Sequence, residues 1–572
     1  EQVKEHVSDR WRYDEIAAAT ITHYNFRQER DPLGYVRSLS RTMQLLPPKR
    51  WLSNELWDEY NKEKLDEILQ DLNPENMLIV WVAPEAENSG KQETYYKVDY
   101  SAQKLSPQEL QEFTSAAPSS IEMPPVNPFI SSQVQLIEGK DTPPQKLDNE
   151  LVAGWYKFND SFNSPRVNLH ISIESLNGAL TPKDRIYDSL MVNLLNDKLN
   201  QEAYQGGLAG YHSDLGTAHY GIHISISGYN EKIDLWADEN MELINNAKFE
   251  QEDFDRILDN LKRGIRNKAK DRPTGVVSKV FSNFMTKYNF ADEDYLQELE
   301  QVTLEDIHQW RDKFFDKTRV MVLVYGNIKK QPAQKLADKF SAWNSEPLTD
   351  LVIPDRFLDI SNQGRLIAQK ANQQGDSAVL LYYQAEGIDY RTRVATSLLS
   401  RILHPQFFLK LRTEQELGYI VSAYYKKDHK KPGIAFSVQS NNKHSFGLVE
   451  RIDAFIDAVP DFIGGLSPKE FGEYQDGLLN LLEKPPQNYG EDLGLYRYQI
   501  AEGVYSFDDR QRAIEELRKL TKEDLIKYSQ SLLRKENSFV MLSDDSIKPE
   551  VPQPQGKLIN DMQEFKRYLN KL

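Results

Sequence analysis

Val302-Thr303-Leu304-Glu305-Asp306 leads through a helix-like stretch into the apolar run Val320-Met321-Val322-Leu323-Val324. Leu520-Thr521-Lys522-Glu523-Asp524 leads in the same way into Phe539-Val540-Met541-Leu542. Thr521 stands 218 positions after Thr303. Each threonine suits a helix N-cap, because its hydroxyl can accept from a free N–H of the first turn. The carboxylates that follow sit in that turn, where the helix dipole is positive. The apolar runs are of strand length.

Working outward, the first copy opens its helices at Phe254-Asp255-Arg256-Ile257 and passes Arg272-Pro273. Further upstream, Leu208-Ala209-Gly210-Tyr211 precedes a predicted hairpin that returns at Gly221-Ile222-His223-Ile224-Ser225-Ile226-Ser227. In the second copy Leu417-Gly418-Tyr419-Ile420 precedes one that returns at Gly433-Ile434-Ala435-Phe436-Ser437-Val438, 212 positions after Gly221. The module is therefore about 200 residues of mixed strands and helices, an α+β unit far longer than a solenoid repeat.

A partial third copy lies near the start. Tyr13-Asp14-Glu15-Ile16 is followed by Pro32, 19 residues on, matching the 19 from Phe254 to Pro273. The spacing predicts a closing strand over Met77–Val82. Residues 1–105 lack the opening half of the module, so the chain is expected to begin inside a domain, with an upstream piece elsewhere. The organisation read this way is a closing part over 1–105 and a Pro-rich linker over 106–150. A full domain over 151–343, a linker over 344–365, a second full domain over 366–545 and a tail over 546–572 follow. The tail's last stretch, Ile559–Leu572, is amphipathic.

Bulk composition narrows the class of function. Lys and Arg total 70 against 87 Asp and Glu, a net charge of −17. Nucleic-acid binding rests on clustered positive charge, so nucleic acid is not an expected partner. No apolar run approaches the roughly 18 residues of a membrane span. There is no cysteine, which excludes disulfides, thiol nucleophiles and thiolate metal sites. A cysteine-free chain is compatible with a bacterial periplasm, the expected location, and equally with a cytoplasm.

The ten histidines form neither His-x-x-Glu-His nor His-Glu-x-x-His, the helical spacings that set two imidazoles and a carboxylate on one face. His219 and His223 are four apart on a strand-like pattern, roughly 13 Å, too far to share a metal. No metal ligands are assigned. Gly-x-Ser-x-Gly and Gly-x-x-x-x-Gly-Lys are also absent. Gly206, Gly207 and Gly210 read as a helix end and turn, and Lys426–Lys431 as a solvated hairpin turn.

The stretch with a chemical reading is Leu411-Arg412-Thr413-Glu414-Gln415-Glu416-Leu417-Gly418-Tyr419-Ile420-Val421. Phe407, Phe408 and Leu411 give an apolar helix face ahead of it, which places Arg412 near a helix end and Tyr419 where a strand begins. Two readings are open: a solvated arginine with a half-buried packing tyrosine, or a pair that grips a ligand.

This stretch resembles the insulinase/pitrilysin family of zinc endopeptidases, whose pattern is Leu-Arg-Thr, polar residues, Leu-Gly-Tyr, then a hairpin returning to a Gln-Ser pair, here Gln439-Ser440. Ser227-Gly228-Tyr229-Asn230, Tyr325-Gly326-Asn327-Ile328 and the Thr521 stretch extend the likeness, and the tail resembles bacterial members more than animal ones. The resemblance implies tandem homologous domains, each a mostly antiparallel sheet packed with helices. It implies peptide or small unfolded-protein substrates enclosed in a chamber. Zinc and the general base would come from an N-terminal half, so that this chain alone binds no zinc and is inactive. Arg412 and Tyr419 would contact the substrate carbonyl and assist the transition state. A non-catalytic binding or scaffold subunit, and an independent hydrolase with an unrecognised His/Asp/Glu site, are the competing readings.

Overall fold

The run at Val320 forms the middle of Thr318–Gly326, and this strand pairs in parallel with Val152–Phe158 and antiparallel with Arg166–Ser175. These are features of a computed structural model that describes residues 6–28, 31–57, 59–83, 90–115, 123–149, 152–175, 178, 180–218, 221–268, 270–343, 357–428 and 431–569. The first sheet comprises β1 (Gln145–Lys146), β2 (Val152–Phe158), β3 (Arg166–Ser175), β4 (His212–Ala218), β5 (Gly221–Tyr229) and β6 (Thr318–Gly326), in the order β1-β2-β6-β3-β5-β4. The second comprises β7 (Leu366–Gln369), β8 (Ser377–Gln384), β9 (Ile420–Asp428), β10 (Lys431–Ser440), β11 (Ser538–Ser543) and β12 (Lys557–Leu558), in the order β9-β10-β8-β11-β7-β12. In both, the opening strand runs parallel to the closing strand and the remaining long pairs are antiparallel. Five strands of each sheet thus share one topology used twice, while the short edge strand differs, β1 antiparallel to β2 and β12 from the tail parallel to β7; the whole is an α+β architecture of mostly antiparallel sheets packed with helices.

Local chemistry explains the helix starts. Thr303 caps Leu304–Asp316 by accepting from the Asp306 N–H at 3.2 Å, while Asp306 accepts from the Thr303 N–H at 2.9 Å. Thr521 and Asp524 form the same reciprocal box at the head of Lys522–Leu532, at 3.1 Å in each direction. Pro273 occupies the first turn of Pro273–Met285, where its missing N–H costs nothing.

The two copies exchange helices. Pro273–Met285 follows the first copy's hairpin in sequence, yet Val277, Phe281, Phe284 and Met285 pack on Leu380, Tyr382, Phe539 and Met541 of the second sheet. Tyr489–Ala501 belongs to the second copy, yet its Leu493 and Ile500 pack on Leu323 and Tyr325 of the first sheet. The Tyr325 hydroxyl donates to Asp492 at 2.7 Å, and Asn159 donates to the same carboxylate at 3.1 Å. Burial raises the pKa of Asp492 while these donors oppose the shift. The second sheet is covered on both faces, since Val379, Leu381, Phe436 and Val540 meet a separate helical layer. Every residue of β8 is accordingly buried. The tail helix Met562–Leu569 adds Phe565 against Phe284 and Phe539. Its Lys566 is also buried, donates to the Asn289 carbonyl and is pushed down to about 7 by desolvation.

By contact pattern the chain divides into two compact units, Glu1–Gln135 with Ala203–Tyr211, and Leu136–Glu202 with His212–Leu572. Both six-stranded sheets lie in the second, and a two-stranded pairing of Lys91–Gln92 with Asp99–Tyr100 lies in the first. The first holds the helices Arg10–Asn25, Pro32–Leu45, Lys62–Gln70 and Pro107–Ser115, so the stretch 106–150 is not all linker. Asp31 caps Pro32–Leu45 by accepting from the Gly34 N–H at 2.7 Å. The expected strand over Met77–Val82 does not form. Leu78 is 86% exposed, Trp81 76% and Val82 90%, and the segment pairs with nothing among the described residues. Strand composition alone does not make a strand; a neighbouring backbone must supply the ladder. Residues 344–356 of the second linker lie outside the described residues.

Candidate functional site

The Arg412 stretch begins where Tyr390–Phe407 runs on as a π-helical turn, Phe408–Glu414. Asp389 caps that helix at its start, accepting from the Thr392 N–H at 3.0 Å. His404 fixes its far end, with Nδ1 2.9 Å from the Ala423 carbonyl of β9. Such widened turns occur mostly within α-helices and often at functional sites. Leu411 and Leu417 are both buried, and the Leu417 N–H donates to the Leu411 carbonyl at 3.0 Å. The loop between them is thereby pinned at both ends while Thr413–Glu416 stays exposed. Glu416 takes φ +51°, a left-handed conformation uncommon outside glycine.

Tyr419 stands just before β9 and is 85% exposed. Its hydroxyl makes no hydrogen bond among the described residues. The Arg412 guanidinium lies 5.9 Å from the Tyr419 ring centroid and 5.0 Å from that of Phe408. Arg412 has no carboxylate within ion-pair reach among the described residues, and its Nε is buried without a partner. The reading of Tyr419 as half-buried packing is therefore wrong: the side chain presents a free hydroxyl next to an uncommitted guanidinium.

Close backbone contact sets this geometry. Gly418 packs on Gln439, and a Cβ at Gly418 would lie 1.9 Å from the Gln439 carbonyl oxygen. Gln439 is opposite Ile420 in the β9–β10 ladder. Its side-chain oxygen accepts from the Thr274 hydroxyl at 3.1 Å and the Thr274 N–H at 3.3 Å, and its amide donates to Asp376 at 2.9 Å. Thr274 belongs to the exchanged helix. The Gln439-Ser440 motif had marked the position, but nothing in local sequence links it to a residue 165 positions away.

The other candidates fare differently. His223 lies on β5 and His170 on β3, with ring centroids 6.0 Å apart; His219 lies outside the described residues. Among the described residues no three His, Asp or Glu side chains converge as a metal site. His444, Ser445 and Asp544 cluster, but the Ser445 hydroxyl donates to Asp544 at 2.5 Å and not to the imidazole. Asp544 also accepts from the Ser445 N–H at 2.9 Å, so the cluster holds the start of the helix Ser445–Asp457. The Lys426–Lys431 turn is less solvated than its charge suggests: Lys427 pairs with Glu502 at 3.0 Å and is largely buried. Gly206 and Gly207 lie in the short helix Tyr204–Leu208, and Gly210 turns the chain with φ +84°.

With this geometry in place, comparison with known proteins is direct. A family profile described as "Middle or third domain of peptidase_M16" matches residues 24–298, and one described as "PQQ synthase PqqF-like, C-terminal lobe domain 4" matches residues 398–496. The chain is 23% identical to human insulin-degrading enzyme, over 98% of this chain and 58% of that protein. It is 22% identical to the A-factor-processing enzyme of Saccharomyces cerevisiae, over 100% of this chain and 58% of that protein. The crystal structure of pitrilysin superposes with a TM-score of 0.81 at 21% identity, covering 99% of this chain and 61% of that one. The chain belongs to the insulinase/pitrilysin family of M16 peptidases. It spans a little over half the length of the curated relatives it matches.

Proposed function

We propose that this chain is the substrate-enclosing, zinc-free portion of an M16 metalloendopeptidase that degrades peptides and small unfolded proteins. The observation that carries this reading is the exposed Tyr419 beside Arg412 on a pinned turn, the hydroxyl without a hydrogen bond and the guanidinium without a carboxylate among the described residues. A neutral phenol can donate to a peptide carbonyl oxygen as negative charge builds there. Arg412 can hold a second carbonyl or orient the tyrosine. Zinc held by an upstream portion would supply the activated water. The chain's own part is to bind the peptide, turn its carbonyl toward that water and stabilise the oxyanion. Met77–Val82, apolar and solvent-facing, has the composition of a strand whose sheet an upstream portion would complete.

The rival reading is a non-catalytic binding subunit. It is favoured by a solved structure described as "peptidase M16 inactive domain from Pseudomonas fluorescens", which superposes with a TM-score of 0.53 over 72% of this chain. Metal analysis addresses the zinc-free assignment. The purified chain is expected to carry well under one zinc per molecule after dialysis against micromolar zinc. One tightly held zinc per chain would overturn the assignment and favour an independent hydrolase.

A further inference from the structure

The first sheet carries a polar patch that the Tyr419 site does not use. On the face that meets Tyr489–Ala501, the register sets the row Leu323, His170, Ser225, Asp214 beside the row Met321, Ser172, His223, Gly216. Apolar side chains close the Leu323 and Met321 end of these rows. The matching face of the second sheet is closed by Phe281 and Phe284. Between the closed end and the strand edge, His170 and His223 stand with ring centroids 6.0 Å apart. His170 Nδ1 is buried without a partner, and His223 makes no hydrogen bond among the described residues. The His223 ring lies over Gly216, where a Cβ would come within 2.3 Å of the imidazole Cε1.

Arg497 projects from the exchanged helix and is half-buried. It has no carboxylate within ion-pair reach among the described residues. Asp214, exposed on the outer strand, acts on it only at longer range. Desolvation lowers the pKa of Arg497, and burial together with its charge holds His170 neutral, pushed down to about 3. A half-desolvated guanidinium without a counter-ion is costly, and a bound anion relieves that cost. Neutral imidazoles add N–H donors, and charge-assisted bonds to a carboxylate are the strong ones.

We propose that His170, His223 and Arg497 form a carboxylate-binding subsite for a peptide held against the first sheet. It rests on the reading that this chain encloses peptides. The carboxylate is either an acidic side chain or a free C-terminus, which offer the same chemistry. Three peptides of one sequence separate the sources: glutamate with an amidated end, glutamine with a free end, and glutamine with an amidated end. Calorimetry on the full chain is expected to show about ten-fold tighter binding of a carboxylate-bearing peptide than of the neutral one. Arg497→Gln should bring the two to equal affinity, and Arg497→Lys should keep part of the difference. Equal affinities in the unaltered chain, a preference that survives Arg497→Gln, or no binding of any peptide would overturn the subsite. Tyr419→Ala serves as the separate control. If it weakens all three peptides alike while no carboxylate preference exists, the subsite fails and the enclosing role stands. If it changes nothing while Arg497→Gln removes the preference, the subsite stands and the role of Tyr419 fails.

Discussion

Tyr419→Phe is expected to cut peptide hydrolysis by about 100-fold in the assembled enzyme, with most of the loss in kcat. The change removes one hydroxyl and nothing else. That hydroxyl makes no hydrogen bond within the described chain, and the ring is 85% exposed, so folding has no stake in it. A donor used only as charge develops on the carbonyl oxygen lowers kcat when lost, whereas uniform binding would raise KM alone. The unfolding free energy should stay within about 0.5 kcal/mol of that of the unaltered protein. Unchanged kcat in the phenylalanine variant would remove Tyr419 from the chemistry. A matching loss of stability would mean that the side chain packs in a way the structure does not contain.

Phe281→Ala is expected to cost about 3–5 kcal/mol, and to spend that cost on the copy to which the residue does not belong in sequence. Phe281 is 1% exposed, with its ring 5.0 Å from Tyr382 and 5.6 Å from Phe539, both in the second sheet. Truncation leaves a cavity between Pro273–Met285 and strands β8 and β11. Hydrogen exchange checks this directly. Protection should fall in Ser377–Gln384 and Ser538–Ser543 at least as much as in the helix itself. Loss confined to residues 152–326 would contradict the exchange of helices. The reciprocal contact, Tyr489 against Tyr325 with ring centroids 4.8 Å apart, ties the first sheet to the second copy in the same way. Neither copy has a complete core without the other.

What could be read in the sequence, and what could not, follows from the range of the interactions. The Thr303 and Thr521 caps were readable because capping is settled within four residues. The hairpins were readable because Gly221 begins its returning strand and Gly433 stands two residues into its own, each where the facing backbone approaches closely. The helix exchange was not. The apolar face of Pro273–Met285 says that the helix is covered, without saying by which sheet. Met77–Val82 was misread for the converse reason, since Ile79, Val80 and Trp81 have strand propensity and no strand to pair with among the described residues. At the site, the helix-turn-strand order placed Arg412 and Tyr419 near each other. It did not reveal that Tyr419 points into solvent, nor that Thr274 and Asp376 hold Gln439 behind it. The His170–His223–Arg497 patch escaped because its members come from two strands and a helix of the other copy.

The claim that this chain completes an active site it does not itself contain is tested most directly by one rate. Cleavage of an unstructured peptide is measured with the zinc-bearing upstream portion alone, then after adding this chain in equimolar amount. The expected result is negligible cleavage by either part and a rate that appears on mixing and saturates near one to one. Full cleavage by the upstream portion alone, or by this chain alone, would contradict it.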